Sequence, residues 1–297
     1  MSRAHIFPGQ GAQFSGMGKE LYFSNSRARE MMESANDILG YRLTDIMFSG
    51  TDSQLQETRI TQPAIFLHST ALALCSDGLG TPDMVGGHSL GEFPALVAAG
   101  VVSFEDGLRL VALRAALMQK CCENHPGTMA TVIGMDPEKV GAVCAKVNGT
   151  VVCANYNYEE QTVISGDMAS IAEACRLLSE AGAKRALRIA VGGAFHSPLM
   201  SDAASGLKDA IMDTDFRKPV CPVFQNVSAQ AETVPDRIRR NLILQLTSPV
   251  LWSRSVENML AAGADHFVEI GPGKVLQGLV KRIASDAGKD VLIEGIQ

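Results

Sequence analysis

The stretch Val85-Gly86-Gly87-His88-Ser89-Leu90-Gly91-Glu92-Phe93 predicts a short apolar strand, a tight turn and the first turn of a helix. It contains Gly-x-Ser-x-Gly, the pattern of a nucleophile elbow. Glycine is needed on both sides because larger side chains would collide with the neighbouring strand and helix. The turn presents the serine hydroxyl at a helix N-terminus, where backbone N–H groups can stabilise a developing oxyanion. We therefore expect Ser89 to be a nucleophile.

The composition indicates a globular protein and excludes several classes of function. The chain has 297 residues, of which 46% are hydrophobic and 20% charged, enough for one large domain or two modest ones. No apolar run approaches the ~18 residues of a membrane span, and the N-terminus is interrupted too early for a signal peptide. The net charge of −6 argues against nucleic acid as the main partner.

The cysteines indicate the redox environment. All seven are scattered along the chain without CxxC spacing. This pattern favours reduced thiols over disulfides or zinc ligands. We therefore expect a cytoplasmic protein without a metal site.

A glycine-rich loop, Pro8-Gly9-Gln10-Gly11-Ala12-Gln13, follows the first predicted strand at residues 5–7. Glycine lets the backbone N–H groups of such a loop approach a ligand closely. A phosphate-binding GxGxxG motif is not completed, because Phe14 stands where the third glycine should be. An oxyanion-hole loop fits better, and a plain turn remains the alternative.

Two further residues indicate chemistry. His196 lies in a glycine-rich loop before a helix predicted to start at Pro198, and loops on rigid scaffolds often carry catalytic bases. The other five histidines fall in strands, in an apolar helix, beside the serine or at a domain junction. Arg114 interrupts the apolar face of a helix capped by Ser103. It either reaches the surface or an acidic partner, or it clamps a substrate carboxylate.

The order of the predicted elements indicates two subdomains. Strands and helices alternate in the larger part, which predicts an α/β fold with a mostly parallel sheet. Residues 129–191 follow the order β-α-β-β-α-β, which is ferredoxin-like and indicates a small inserted subdomain. The predicted boundaries are 1–125 and 195–297 for the large subdomain and 126–194 for the small one. A buried helix is expected to start at Pro63, and a loop is expected at residues 156–158.

Five motifs occur together along the chain. They are Phe7-Pro8-Gly9-Gln10-Gly11-Ala12-Gln13, Gly87-His88-Ser89-Leu90-Gly91-Glu92, Leu113-Arg114, Gly193-Ala194-Phe195-His196-Ser197 and Gln245-Leu246-Thr247-x-Pro249-Val250. With these motifs the chain resembles, over its whole length, the malonyl-CoA:acyl carrier protein transacylases, the acyltransferases of fatty-acid and polyketide synthesis. The resemblance implies an α/β-hydrolase-like large subdomain with a parallel sheet and an inserted ferredoxin-like small subdomain.

The resemblance also implies roles for the residues of the site. Ser89 attacks the thioester carbonyl of malonyl-CoA, and His196 accepts the serine proton. The backbone carbonyl of Gln245 orients His196 in place of a carboxylate. The backbone N–H groups of Gln10 and Leu90 form the oxyanion hole.

The substrate contacts follow from the same resemblance. Arg114 holds the malonyl carboxylate in a bidentate pair, and the bulk of Phe195 leaves little room for a branch at the α-carbon. The phosphopantetheine thiol of an acyl carrier protein then attacks the malonyl-serine, which makes the reaction ping-pong. The implied partners are malonyl-CoA and the carrier protein, without nucleic acid or membrane. No cofactor is expected, because the coenzyme A thioester is a substrate.

Two alternatives stay open. One is a discrete trans-acting acyltransferase of a polyketide synthase. The other is a serine esterase or thioesterase, which would carry an Asp or Glu between the serine and the histidine. The aspartates in that interval are Asp106, Asp136 and Asp167, and none lies in a convincing loop after a large-domain strand.

Carrier proteins are typically acidic, so a basic patch is expected on the surface that meets the carrier. Two clusters are candidates. One is Lys184-Arg185 with Arg188, and the other is Arg237 with Arg239-Arg240.

Overall fold

The structure is a computed structural model that describes residues 2–297. Its strands, numbered along the chain, are β1 (Ser2–Phe7), β2 (Met84–Gly87), β3 (Gly127–Ile133), β4 (Val151–Tyr158), β5 (Gln161–Asp167), β6 (Arg185–Ile189), β7 (Val223–Phe224), β8 (Ala231–Glu232), β9 (Ala264–Ile270) and β10 (Leu292–Ile296). The strands form two separate sheets, one of six strands and one of four.

The α-helices are α1 (Lys19–Ser24), α2 (Ser26–Leu39), α3 (Leu43–Ser49), α4 (Asp52–Gln56), α5 (Thr58–Cys75), α6 (Glu92–Ala98), α7 (Phe104–Asn124), α8 (Pro137–Cys144), α9 (Met168–Glu180), α10 (Ser201–Asp213), α11 (Pro235–Leu244), α12 (Trp252–Ala261) and α13 (Val275–Asp286). Single 3-10 turns lie at Ser89–Gly91, Pro198–Met200 and Gln245–Thr247. None of the helices between residues 2 and 297 has the length and apolar character needed to cross a membrane.

The larger sheet has the strand order β10-β9-β1-β2-β7-β8. Neighbouring strands are parallel except β7 and β8, which form an antiparallel edge. Phe7 of β1 is aligned with Gly87 of β2, so the loop that carries Gln10 and the turn that carries Ser89 leave the sheet side by side. The predicted α/β fold with a mostly parallel sheet is confirmed, and the loops at this edge are placed to form a site.

Both faces of the larger sheet are buried. On one face Phe7 packs in a core with Phe66 of α5 and Leu108 of α7. On the other face Ile6 packs in a second core with Trp252 of α12. Burial on both faces is typical of parallel sheets, because their crossover helices cover both sides.

Helix α5 begins earlier than predicted. It starts at Thr58, so Pro63 lies inside the helix and not at its start. The hydroxyl of Thr61 donates to the carbonyl of Glu57 at 3.0 Å, and Ile60 is buried, which extends the helix toward its N-terminus. The proline removes one N–H from the helix, and tertiary packing outweighs that loss. The predicted buried helix is confirmed, whereas its predicted start is wrong.

The smaller sheet is antiparallel, with the strand order β4-β5-β3-β6. Its elements follow β3-α8-β4-β5-α9-β6 along the chain, which is the order that the sequence predicts. The two helices enclose a core that includes Ala130, Ile164 and Leu178. The loop predicted at residues 156–158 is wrong, because β4 continues to Tyr158 and pairs there with Gln161 of β5. Only residues 159–160 separate the two strands, so their pairing extends to the turn.

Backbone hydrogen bonds at Val250 join the two sheets. The N–H of Val250 donates to the carbonyl of Ala154 at 2.8 Å, and the N–H of Tyr156 donates to the carbonyl of Val250 at 2.9 Å. Val250 follows the 3-10 turn at Gln245–Thr247, so β4 of the smaller sheet is fastened to a segment that belongs to the larger part.

Candidate active site

The turn at Ser89 has the strained geometry of a nucleophile elbow. Ser89 adopts φ 52°, in the left-handed region that residues with a Cβ seldom occupy. A Cβ on Gly87 would lie 2.0 Å from the carbonyl carbon and oxygen of Gly91. A Cβ on Gly91 would lie 2.0 Å from the carbonyl oxygen of Phe7. Backbone meets backbone at both positions, so only glycine fits at either side of the serine.

Asn226, two residues after β7, holds this turn in place. Its Oδ1 accepts a hydrogen bond from the N–H of Ser89 at 2.7 Å, and its Nδ2 donates to the carbonyl of Gly87 at 2.6 Å. Its own N–H donates to Oε1 of Glu92 at 2.7 Å. The asparagine side chain therefore satisfies the N–H of the strained residue and the carbonyl two residues before it.

His196 lies against the nucleophile. Its Nε2 is 2.7 Å from Ser89 Oγ, and the residue also has a left-handed φ of 55°. Its Nδ1 faces two backbone carbonyls, of Gln245 at 3.0 Å and of Ser248 at 3.1 Å. Because a carbonyl only accepts hydrogen bonds, Nδ1 carries the proton and Nε2 is free to accept from Ser89. This is the tautomer that a general base requires.

Burial keeps His196 neutral. Loss of solvation and, next, the nearby charge of Arg114 lower the pKa of His196 to about 3. The partners of Nδ1 are carbonyls, so no carboxylate stabilises the imidazolium through that nitrogen. The three aspartates between the serine and the histidine lie elsewhere. Asp106 lies in the first turn of α7 and accepts from the hydroxyl of its cap, Ser103, whereas Asp136 caps α8 and Asp167 caps α9.

Arg114 reaches the same point from α7, with only 1% of its surface exposed. Its Nη1 donates to Oε1 of Gln62 at 2.5 Å, and its Nη2 donates to Ser89 Oγ at 3.1 Å and to Oε1 of Gln245 at 3.1 Å. Its Nε has no hydrogen-bond partner among residues 2–297. Burial lowers the pKa of Arg114 to about 10, which still leaves it charged at neutral pH. A buried cation therefore lies beside the nucleophile with neutral partners.

Glu92 and Gln245 complete the hydrogen-bond network beneath the serine. Nε2 of Gln245 donates to Oε2 of Glu92 and to the carbonyl of Ser89, the latter at 2.9 Å. Burial raises the pKa of Glu92 to about 7. Its two oxygens accept from Gln245 and from Asn226 N–H, and neither contacts the guanidinium of Arg114.

A cleft with a volume of about 780 Å³, part of it open to solvent, leads to this cluster. Gln10, Leu90 and Phe195 line it together with Ser89 and His196. The smaller sheet supplies the opposite wall, which includes Met129, Asn155 and Ile189. The structure thus brings all seven predicted site residues to one cleft or to its floor, where the Gln245 side chain lies.

Sequence reasoning missed three residues of this network. Glu92 carried a signal, because it is an acidic residue followed by the apolar run Phe93-Pro94-Ala95-Leu96. Gln62 carried a weaker one, as a polar side chain that is fully buried in α5. Asn226 carried none, since the serine that it holds is 137 residues away in sequence.

Comparisons with known proteins agree with this geometry. The acyl transferase domain family matches residues 4–294. A malonyl CoA-acyl carrier protein transacylase of Staphylococcus aureus (strain MRSA252) is 42% identical over 297 residues, covering 99% of this chain and 95% of the relative. The protein of the same name from Bacillus subtilis (strain 168) is 42% identical over 284 residues, covering 94% and 90%.

Solved structures agree as well. An acyl carrier protein S-malonyltransferase from Vibrio cholerae O1 biovar eltor has a TM-score of 0.93 at 38% identity, covering 100% of this chain and 97% of the other. A malonyl-transacylase in complex with its type II PKS acyl-carrier protein has a TM-score of 0.92 at 36% identity, covering 99% and 95%. Family match, sequence identity and fold all extend over nearly the whole length, and the chain belongs to the acyl transferase domain family.

Proposed function

We propose that the protein transfers a malonyl group from malonyl-CoA to the phosphopantetheine thiol of an acyl carrier protein, through a malonyl-serine at Ser89. The names of the relatives support this proposal, since they are malonyl CoA-acyl carrier protein transacylases. The complex of a similar protein with its acyl-carrier protein supports the choice of acceptor. Supply of malonyl units to fatty-acid biosynthesis is the role that fits these names.

The observation that carries the proposal is that no carboxylate bonds directly to Arg114, although Glu92 lies close enough to raise its pKa. Burying a guanidinium is costly unless an anion or strong hydrogen bonds compensate. Its partners within residues 2–297 are neutral oxygens of Gln62, Ser89 and Gln245, and its Nε has none. A malonyl thioester carries a carboxylate one methylene away from the carbonyl that Ser89 attacks. A malonyl group on Ser89 would therefore bring the missing anion to the guanidinium.

The first half-reaction forms the malonyl-serine. Ser89 Oγ attacks the thioester carbonyl carbon while its proton moves to Nε2 of His196. The backbone N–H groups of Gln10 and Leu90 are the proposed donors to the oxyanion. When the tetrahedral intermediate collapses, the carbon–sulfur bond breaks, and the thiolate of coenzyme A takes the proton from His196.

The second half-reaction reverses these steps with a different thiol. His196, neutral again, accepts the proton of the phosphopantetheine thiol, and the sulfur attacks the malonyl-serine carbonyl. The carbon–oxygen bond to Ser89 then breaks, and the serine recovers its proton from His196. The carbonyls of Gln245 and Ser248 hold His196 in the same orientation through both halves.

A serine esterase or thioesterase activity is the less favoured hypothesis. Such an enzyme would use a carboxylate to orient the histidine, whereas carbonyls occupy that position in this protein. A buried cation beside the serine also serves no purpose for an uncharged acyl group. A discrete acyltransferase of a polyketide synthase shares the chemistry and differs in its carrier.

We also infer the finer architecture that accompanies this function. The larger subdomain, residues 1–125 and 195–297, is α/β-hydrolase-like, and the smaller one, residues 126–194, is ferredoxin-like. The β-α-β-β-α-β order of the smaller sheet supports this description. We expect the enzyme to act in the cytoplasm and to need no cofactor or metal.

A loading and chase experiment tests the function. Incubation with malonyl-CoA should add one malonyl group to the protein in an intact-mass spectrum, and peptide mapping should find it on Ser89. Addition of carrier protein with its phosphopantetheine should remove the group, whereas apo-carrier should not. The Ser89→Ala variant should show no adduct, and the Ser253→Ala variant should load normally. An adduct retained in Ser89→Ala would exclude this mechanism.

A further inference from the structure

The site residues form a closed ring of hydrogen bonds. Arg114 Nη2 donates to Ser89 Oγ at 3.1 Å, and Ser89 lies 2.7 Å from the free nitrogen of His196. Nδ1 of His196 donates to the Gln245 carbonyl at 3.0 Å. The side-chain oxygen of Gln245 accepts from Arg114 Nη2 at 3.1 Å, which closes the ring. Gln245 therefore contacts the base through its backbone and the cation through its side chain.

The orientation of the Gln245 side-chain amide determines whether the ring can close. Its oxygen faces the Arg114 guanidinium, which only donates hydrogen bonds. Its nitrogen faces two groups that only accept, Oε2 of the Glu92 carboxylate and the carbonyl of Ser89. Turned by half a rotation, the amide would place donor against donor at Arg114 and acceptor against acceptor at Glu92.

We infer that Glu92 is a positioning residue for malonyl selection: its carboxylate fixes the Gln245 amide, and the amide holds Arg114 beside Ser89 Oγ. The inference deepens the proposed function and rests on it. Oε1 of Glu92 is itself held by the N–H of Asn226 at 2.7 Å, so the carboxylate has a fixed orientation. The side chains of Glu92, Gln245, Arg114 and Asn226 are buried, and water has little access to replace a lost partner.

The substitution Glu92→Gln removes the charge with almost no change in shape. The new amide should keep its oxygen on the Asn226 N–H and turn its NH₂ toward Gln245. The two NH₂ groups then face each other. Either the Gln245 amide rotates, which gives up its bond to the Ser89 carbonyl and brings its NH₂ against the donors of Arg114, or the repelled Gln245 side chain moves away. The guanidinium loses its fixed position, which should weaken malonyl binding but not acetyl binding.

The measurement compares kcat/KM for loading malonyl and acetyl groups from their coenzyme A thioesters. We expect Glu92→Gln to lower the malonyl:acetyl ratio about tenfold, because one hydrogen bond to a charged group is lost. Gln245→Met keeps the carbonyl that orients His196 and should lower the ratio by a similar factor. The double variant should lose no more than either single one, because both changes break the same link.

Two outcomes would overturn the inference. Equal loss of malonyl and acetyl loading would mean that Glu92 supports only the fold, and an unchanged ratio would mean that Arg114 is held without it. Thermal unfolding must be cooperative for each variant. Where Glu92→Gln does not fold, Gln245→Met carries the test alone. Failure of the wild-type protein to load malonyl at all would instead reject the proposed function.

Acidity supplies a second readout. Protonation of Glu92, whose pKa burial raises to about 7, should act like the glutamine substitution. The wild-type ratio should therefore fall as the pH drops through about 7, and the Glu92→Gln ratio should stay flat. The other titratable groups that face this cluster keep one charge state near neutral pH, since burial lowers the pKa of Arg114 only to about 10 and that of His196 to about 3, and that of His88 is lowered as well. A flat wild-type ratio would contradict the role of Glu92.

Discussion

Arg114 Nη2 lies 3.1 Å from Ser89 Oγ, so the buried cation and the proposed nucleophile share one hydrogen bond. This contact places the guanidinium next to the position that an acyl group bound to Oγ would occupy. In the proposed mechanism, selection of the acyl group and formation of the ester bond would therefore take place at a single point of the cleft.

Replacement of Arg114 by alanine should change the preference of the enzyme for its acyl donor. We expect kcat/KM for malonyl-CoA to fall about 100-fold, which corresponds to about 3 kcal/mol of lost binding to the carboxylate. Acetyl loading should survive or rise, because an acetyl group has no carboxylate to bind. Intact-mass rates with the two thioesters measure both effects. Arg109→Ala, an exposed arginine of the same helix, is the control and should leave both rates unchanged, whereas equal loss with the two donors at Arg114 would disprove the clamp.

A smaller side chain at Phe195 should admit a branched acyl group. Phe195 is buried and lines the cleft next to His196. In Phe195→Ala we expect loading of methylmalonyl relative to malonyl to rise about tenfold, because a methyl branch gains space worth about 1–2 kcal/mol. Phe14→Ala, at an exposed phenylalanine, is the control. A ratio unchanged in Phe195→Ala would show that another wall of the cleft limits the α-carbon.

Buried histidines should make the protein sensitive to acid. Burial lowers the pKa of His68 from 6.5 to about 4. Between about pH 6.5 and pH 4 the unfolded chain therefore binds a proton at this histidine and the folded chain does not. The free energy of unfolding decreases as the pH falls through this range. One such histidine contributes up to ~1.4 kcal/mol per pH unit to this loss.

Urea unfolding at a series of pH values measures this slope. We expect His68→Leu to lose less stability on acidification than the wild-type protein, by about one bound proton. Thr70→Val, at a buried position of the same helix, is the control, because it changes the packing of α5 without removing a titratable group. A His68→Leu slope equal to that of the wild-type protein would contradict a neutral, buried His68.

The elbow glycines should be intolerant of even a methyl group. In Gly91→Ala the new Cβ would meet the Phe7 carbonyl oxygen at 2.0 Å, and the turn after β2 cannot easily move away from the end of β1. We expect a loss of about 3 kcal/mol in the free energy of unfolding, together with loss of loading. Gly278→Ala, at an exposed position in α13 without neighbours, should instead stabilise by roughly 0.5–1 kcal/mol. Calorimetry measures the melting temperatures of both variants. A wild-type melting temperature for Gly91→Ala would contradict the close contact between residue 91 and the Phe7 carbonyl.

The carrier should dock beside the smaller sheet. Arg185 and Arg188 are exposed on β6, whose last residue, Ile189, lines the cleft. Arg239 of the other basic cluster is occupied instead, since it pairs with Asp236 and lies over the ring of Phe216. A change of Arg239 to glutamate would break these contacts and would therefore test stability more than docking of the carrier.

We expect reversal of Arg185 and Arg188 to glutamate to raise the KM for carrier about tenfold and to leave the KM for malonyl-CoA unchanged, because charge steers the encounter with an acidic partner. Reversal of Arg237 and Arg240 is the control with the same change in charge. Steady-state kinetics at low ionic strength give both constants. Equal effects of the two pairs would indicate a general charge effect and no specific patch.

The parts of the site that depend on local sterics were predictable from the sequence. The elbow follows from glycines at fixed spacing around Ser89, because only glycine allows the backbone contacts that the turn requires. His196 was singled out by its loop and by elimination, and Arg114 by its place on an apolar face. These signals lie within a few residues of the functional group.

The parts that depend on distant partners were not predictable. Asn226 supports the serine from the far end of β7, and the Gln245 side chain acts on Arg114 across 131 residues of sequence. A single polar residue in a strand or turn has many possible partners, and only folding selects one. The same reason explains the misjudged start of α5, where packing overrides the local preference of Pro63.

The hydrogen bonds of Val250 to β4 limit how such enzymes can be recombined. Ala154 and Tyr156 of the smaller sheet bond to Val250, and the segment just before it supplies the Gln245 and Ser248 carbonyls that orient the base. A chimera that exchanged residues 126–194 alone would pair this segment with a β4 strand from another protein. Any misfit in that pairing would shift the carbonyls that hold His196. Residues 245–250 should therefore be exchanged together with the smaller sheet in any chimera designed to transfer specificity between acyltransferases.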